Sequence, residues 1–140
     1  DKFNKLWVLT DGGYNGNSFG FEQPRLEKID AASQQIERTW RFSLNDNPSE
    51  LQINGTGDTI SFINTSIWQM AVTGQEEPVI VIEAGQKLFY ALGIDSATSN
   101  IYVADAIDHL QPGVVYRYSS GGQTVDTFKV GIAPGMFCFN

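Results

Sequence analysis

Apolar residues in this chain fall in short alternating runs, and each run is bounded by Gly, Asn, Asp, Ser or Pro. That period-two pattern predicts half-buried β-strands joined by tight turns. The first group of runs covers residues 6–9 (LWVL), 25–29 (RLEKI), 38–42 (RTWRF) and 50–53 (ELQI). A second group covers 60–63, 67–71, 79–82 and 88–92, and a third covers 101–104, 114–118, 124–130 and 136–139. Helical periodicity is almost absent. The stretch 31–35 (AASQQ) has the composition of a helix start, but it sits where the other units turn between outer strands, so a turn is expected.

The groups repeat. Their equivalent first strands begin at residues 6, 60 and 101, with offsets of 54 and 41 residues. These bracket the roughly 40–50 residues of propeller repeats. The units, 5–54, 59–95 and 100–140, each close on turn-forming residues: Asn54-Gly55-Thr56-Gly57-Asp58, then Asp95 to Asn100, then Asn140. The fold class expected is therefore all-β: a β-propeller portion of three four-stranded antiparallel blades, with residues 1–140 forming one propeller segment. Three blades do not close a ring, so the segment calls for further blades or for a second copy. Two chains exchanging their ends would give six blades. The run 136–139 would then pair, as a strand, with residues 6–9 of a blade that begins elsewhere. A two-layer β-sandwich of about twelve strands is the alternative that alternation alone leaves open.

Composition narrows the function classes. The chain has 140 residues, 41% of them hydrophobic, enough for one modest core. Its formal net charge of −7 opposes nucleic acids and anionic membrane surfaces. No apolar run approaches the roughly 20 residues of a membrane helix, and no transmembrane segment is expected in this chain. Cys138 is the only cysteine, so neither an internal disulfide nor a thiolate metal cluster can form. Alternation within MFCF places Cys138 in a core strand.

Loops carry the candidate chemistry. On a propeller, one face would receive the loops 11–24, 45–48, 64–66, 83–87, 105–112 and 131–135. The first, TDGGYNGNSFGFEQP, joins four glycines to three aromatic rings. Glycines allow close folding, and rings offer flat apolar area with little rotamer loss, which suits a sugar or another planar ligand. Asp11, Tyr14, Phe19 and Phe21 are the candidate binding residues there, against the reading that the rings pack their own blade and the aspartate bonds turn amides. In the third unit a strand is interrupted by ADAIDHLQPG, which holds the only histidine. Asp105, Asp108, His109 and Gln111 are its candidate binding residues, with a solvated histidine as the plain alternative. Neither zinc spacing nor the six to eight oxygens of a calcium site is present, so no metal and no cofactor is expected. Serines lack a Gly-x-Ser-x-Gly elbow, so no catalytic residue is assigned. Trp7, Trp40 and Trp68 read as core or blade-interface residues.

The stretches LWVLTDGGYNG…PRLEKIDAAS, IYVADAIDHLQPGVVYRYSSGG and VDTFKVGIAPGMFCFN resemble the last blades of the YncE-like surface β-propeller lipoproteins of gut Bacteroidetes. The likeness is strongest in the third unit, at Asp105, Asp108, Gln111, Gly113, Val115, Tyr116, Tyr118, Gly131, Pro134 and Gly135. It implies an exported protein at the cell surface, outer membrane or periplasm, with an export signal, a lipid anchor and further blades upstream. Some members of that family capture corrinoids. The function expected is a non-catalytic binding module that holds a small ligand, a corrinoid or a glycan, or docks a partner such as an outer-membrane transporter. The alternatives are a lactonase-like or lyase-like propeller enzyme with a channel cation, and a purely structural scaffold.

Overall fold

The computed structural model describes residues 1–13 and 20–139. Among them are eleven strands and no helix: β1 (Lys5–Thr10), β2 (Arg25–Asp30), β3 (Ile36–Arg41), β4 (Ser49–Ile53), β5 (Thr59–Asn64), β6 (Ser66–Ala71), β7 (Val79–Ile82), β8 (Phe89–Ile94), β9 (Ile101–Asp105), β10 (Pro112–Tyr118) and β11 (Thr124–Ile132). They form three antiparallel sheets in sequential order, β1-β2-β3, β4-β5-β6-β7 and β8-β9-β10-β11. Each sheet is a simple up-and-down meander, the form of a propeller blade. The sequence units and the sheets are out of phase by one strand: β4 ends the first unit and is hydrogen-bonded into the second sheet. The expected turn at 31–35 is a turn, closed by Asp30 N–H to Gln35 O at 2.9 Å.

Both faces of the middle sheet are covered, which separates this arrangement from a two-layer sandwich. On one face Ile60, Phe62, Met70 and Val72 pack with Leu26 and Trp40 of the first blade. On the other, Ile63, Ile67 and Ile82 pack with Phe89, Leu92, Ile101, Val103 and Tyr118 of the third. Alternate side chains of β5 thus enter different interfaces, as the pleat requires. Trp7 stacks on Trp40 with centroids 5.4 Å apart, and Phe62 lies between Phe42 and Trp68. The fully buried Phe62 contributes about 1.5–3 kcal/mol through its burial. The tryptophans therefore stand at the blade interface, as their place in the strands suggests.

Edge strands of the three sheets lie side by side: β4 packs beside β8 and beside β1. At the opposite ends the closing turns also touch. A Cβ added to Gly55 would stand 1.7 Å from the Ser96 carbonyl oxygen, so the Asn54 turn nests against the Asp95 turn only because residue 55 has no side chain.

The strand expected at 136–139 does not form. Those residues follow β11 as irregular chain across the outer face of the third blade. A strand needs a neighbouring edge to accept its backbone bonds, and here the segment meets a sheet face. Its rings anchor it instead: Phe137 and Phe139 are stacked at 6.3 Å, and Phe139 lies 5.2 Å from Tyr102. Gly93 provides the notch, since a Cβ there would fall 2.7 Å from Cβ of Phe137. Cys138 accordingly is exposed and is not a core residue.

Candidate binding cleft on the loop face

The loop before β4, the hairpins β5–β6, β7–β8 and β9–β10, and the turn after β11 emerge at one end of the blades. Between the near ends of β4 and β8 lies a cleft of 560 Å³. Its walls are Asn45, Asn47, Ser49 and Glu50 on one side, Ile63 and Thr65 at the β5–β6 hairpin, and Lys87, Leu88, Phe89, Tyr90 and Gly135 on the other. That size falls within the roughly 300–1,000 Å³ of small-molecule sites.

Backbone conformation at this end is unusual for the residue types involved. Among the described residues, Glu50, Thr65, Ile107, His109 and Ala133 all have φ between +50° and +62°. Glu50 sits at the irregularity in the β4–β5 register, and Thr65 is the single residue that reverses the chain between Asn64 and Ser66. A left-handed conformation costs a β-branched residue such as Thr65 about 1–2 kcal/mol. Such strain gathers where a surrounding structure holds a site in shape.

Several aspartates and one asparagine of the turns are engaged locally: Asp11 accepts from Gly13 N–H, Asp46 from Ser43 N–H, Asp95 from Ala97 N–H, and Asn54 accepts from Asp58 N–H and Thr59 N–H. Among the described residues, the side chains of Asn45, Asn47, Glu50 and Thr65 make no hydrogen bond to protein. Lys87 differs again, since its Nζ stands 5.3 Å from the Tyr116 ring centroid and 6.0 Å from that of Phe89, within cation–π range. Burial first, and the Asp105 charge second, push the Tyr116 hydroxyl above its usual pKa, so it stays a neutral ring beneath that ammonium.

The interrupted strand that breaks into ADAIDHLQPG serves this wall. Asp105, only 5% exposed, accepts hydrogen bonds at Oδ1 from Leu88 N–H at 3.0 Å and Ile107 N–H at 2.8 Å. It therefore ties the cleft-lining residue Leu88 to the start of the 106–111 loop. Asp108 caps that loop, accepting from Leu110 N–H at 2.9 Å and Gln111 N–H at 3.1 Å, while Gln111 Nε2 donates to its second oxygen. The Leu110 amide is the leading cause that holds the Asp108 carboxyl below its usual pKa. The turn this produces sends His109 to Tyr90, edge to face, with centroids 4.8 Å apart and planes at 82°. Gly113 lets the chain after β11 close on the loop, because a Cβ there would clash with the Asp105 carbonyl oxygen at 2.6 Å and with the Pro134 ring at 2.8 Å.

Of the sequence-derived candidates, Asp105 and His109 thus support the cleft from behind, through Leu88 and Tyr90. Asp108 and Gln111 shape the loop that carries His109. Asp11 lines a separate cleft of 380 Å³ with Thr10, Gly12, Gly13, Gly20, Glu22, Gln23 and Arg25. Phe21 is partly exposed in the same loop. Tyr14 and Phe19 lie outside the described residues. The cleft residues Asn45, Asn47, Glu50, Thr65, Lys87 and Tyr90 did not stand out in the sequence. Their loops are assignable to this face from strand order, but Tyr90 occupies an ordinary alternating strand position, and only its exposure marks it. Among the described residues, no three His, Cys, Asp or Glu side chains converge as a metal-ligand group.

No family model and no curated protein matches the chain. Among solved structures it is similar to a protein of unknown function from Bacteroides caccae, with a TM-score of 0.57 at 11% sequence identity. The similarity covers 88% of this chain and 40% of the other, so the chain spans about two fifths of that neighbour's length. Likeness at that identity concerns the fold. The stacked meanders and the paired interfaces define the class: an all-β segment of propeller blades. No helix among the described residues is long and apolar enough to cross a membrane.

Proposed function

We propose that this propeller segment is a non-catalytic binding module, and that the cleft between the ends of β4 and β8 holds a small ligand. The observation that carries this reading is a set of polar side chains without a hydrogen bond among the described residues, Asn45, Asn47, Glu50 and Thr65, that line one cleft with an exposed aromatic ring, Tyr90, beside strained backbone. Apolar walls with a few convergent polar groups are the usual makeup of a ligand site. An enzyme of lactonase or lyase type with a channel cation would call for several converging carboxylates, whereas Glu50 is the one carboxylate among the cleft-lining residues. The exported, cell-surface setting rests on the resemblance of the third unit to the YncE-like lipoproteins, as does docking to an outer-membrane partner.

Calorimetric titration of the purified protein with a panel of corrinoids and glycans tests the reading. Binding of one panel member, weakened at least tenfold by the double substitution Asn45→Ala with Asn47→Ala, is the expected result. The reading fails if no panel member binds, or if that double variant binds as tightly as the parent.

A further inference from the structure

Resting on that reading, we infer that the ligand is an uncharged polyhydroxylated ring, a neutral glycan residue seated on Tyr90, and not a corrinoid or an anionic sugar. Tyr90 is 46% exposed although its ring is held on one side by His109. The His109 ring meets it edge to face, with centroids 4.8 Å apart. An exposed ring so held is a rigid platform, and the C–H face of a pyranose is the complementary apolar surface.

Opposite the platform the chemistry is that of hydroxyl recognition. Each of Asn45 and Asn47 offers two N–H donors and a carbonyl acceptor on one side chain, and Thr65 offers a hydroxyl that does both. Vicinal hydroxyls on a sugar likewise donate and accept, so alternating donors and acceptors on the wall match them without a net charge. Glu50 adds two acceptor oxygens, which can each take a hydrogen bond from one of two neighbouring hydroxyls. Its charge also repels a carboxylate or sulfate brought close to it.

Lys87 does not reverse that preference, because its ammonium already stands over the Tyr116 and Phe89 rings. The cleft carries one charge of each sign, and the whole chain carries −7, so nothing concentrates anions here. A corrin macrocycle with its ring of peripheral amides presents a flat face wider than one phenol covers, whereas a single sugar ring matches it.

The test is saturation-transfer NMR, with calorimetry, on neutral oligosaccharides of glucose, mannose, galactose and xylose, on their uronate counterparts, and on cobinamide. Neutral sugars are expected to bind, with transfer strongest to the ring C–H protons. Tyr90→Ala should weaken binding at least tenfold, and Tyr90→Phe, which keeps the platform, should stay within about threefold. The uronates should bind more weakly than their neutral partners. Saturable binding of cobinamide or a uronate with none of the neutral sugars would overturn the sugar inference and leave the binding module standing. An absence of binding across the whole panel would overturn both. Circular dichroism of each variant shows that it is folded, and neutral-sugar affinity unchanged in a folded Tyr90→Ala protein overturns the inference directly.

Discussion

His109 meets the ring of Tyr90 edge to face at 4.8 Å, across two strands' worth of sequence. One residue belongs to the loop that interrupts the third unit, the other to the strand that walls the cleft. The contact is expected to fix the Tyr90 ring, and aromatic pairs of this geometry contribute about 0.5–1.5 kcal/mol. Replacing His109 with Asn keeps a residue that tolerates the left-handed backbone at φ 62° while removing the ring. In His109→Asn the Tyr90 ring protons should lose their ring-current shift in the NMR spectrum, and ligand affinity should fall by about two- to tenfold. Unchanged Tyr90 shifts would contradict the contact.

Asp105 joins two segments through one carboxylate oxygen, with Leu88 N–H at 3.0 Å and Ile107 N–H at 2.8 Å. Truncation would strand two amides in a site where the side chain is nearly enclosed. Hydrogen bonds to charged groups contribute about 1.5–3 kcal/mol each, and a buried amide without a partner adds its own desolvation cost. Asp105→Ala should therefore lose at least about 2 kcal/mol in denaturant unfolding, with faster hydrogen exchange at Leu88 and Ile107. Asp105→Asn, which retains one acceptor oxygen, should lose less.

Cys138 lies exposed on the segment that crosses the third blade. A thiol in a paired core strand would resist a bulky reagent until global unfolding, whereas an exposed one reacts in the native state. Treatment of the native protein with a thiol-specific chromophoric reagent should label it at a rate close to that of the denatured chain. Protection by several orders of magnitude would instead put residues 136–139 into a paired strand.

Asp58 supports the turn that closes β4 onto β5. It accepts from Asn54 Nδ2 at 2.9 Å and Thr59 Oγ1 at 3.0 Å, and Lys2 Nζ stands 3.3 Å from its other oxygen. The Asn54 bond is the leading cause that lowers its pKa from 3.8 to about 2. A carboxylate with a depressed folded-state pKa adds stability that is complete above its unfolded value and fades as the pH falls through the folded one. The parent protein should thus lose this increment between about pH 4 and pH 2. Asp58→Asn should be less stable at neutral pH and show a shallower loss across the same window, measured by urea midpoints. Equal pH slopes for the two proteins would contradict the assignment.

The two-faced burial of the middle blade follows from alternation that is plain in the chain, since Ile60 and Phe62 share one parity and Ile63 has the other. Turn chemistry was equally legible: Asn54, Asp58 and Asp95 form side-chain bonds within two to five residues of themselves. The run MFCF shows where that local logic stops. Its alternation is that of a strand, but strand formation depends on a free edge beside it, and Gly93 with Tyr102 offers a face instead. The candidate residues divide in the same way. Asp105 and His109 were conspicuous because they interrupt an apolar strand, yet their contacts reach the cleft through Leu88 and Tyr90, which carry no local signal.

The sequence by itself determined the all-β class, the meandering order of the strands and the end of the blades at which the long loops gather, because pleat and turn preferences act over a few residues. Only the tertiary structure decided the cleft. Asn45, Thr65 and Tyr90 stand far apart along the chain, and they meet because blades pack face to face and bring the ends of β4 and β8 together. Among the described residues the same packing leaves the side chains of Asn45, Asn47, Glu50 and Thr65 without a hydrogen-bond partner, which no local pattern encodes.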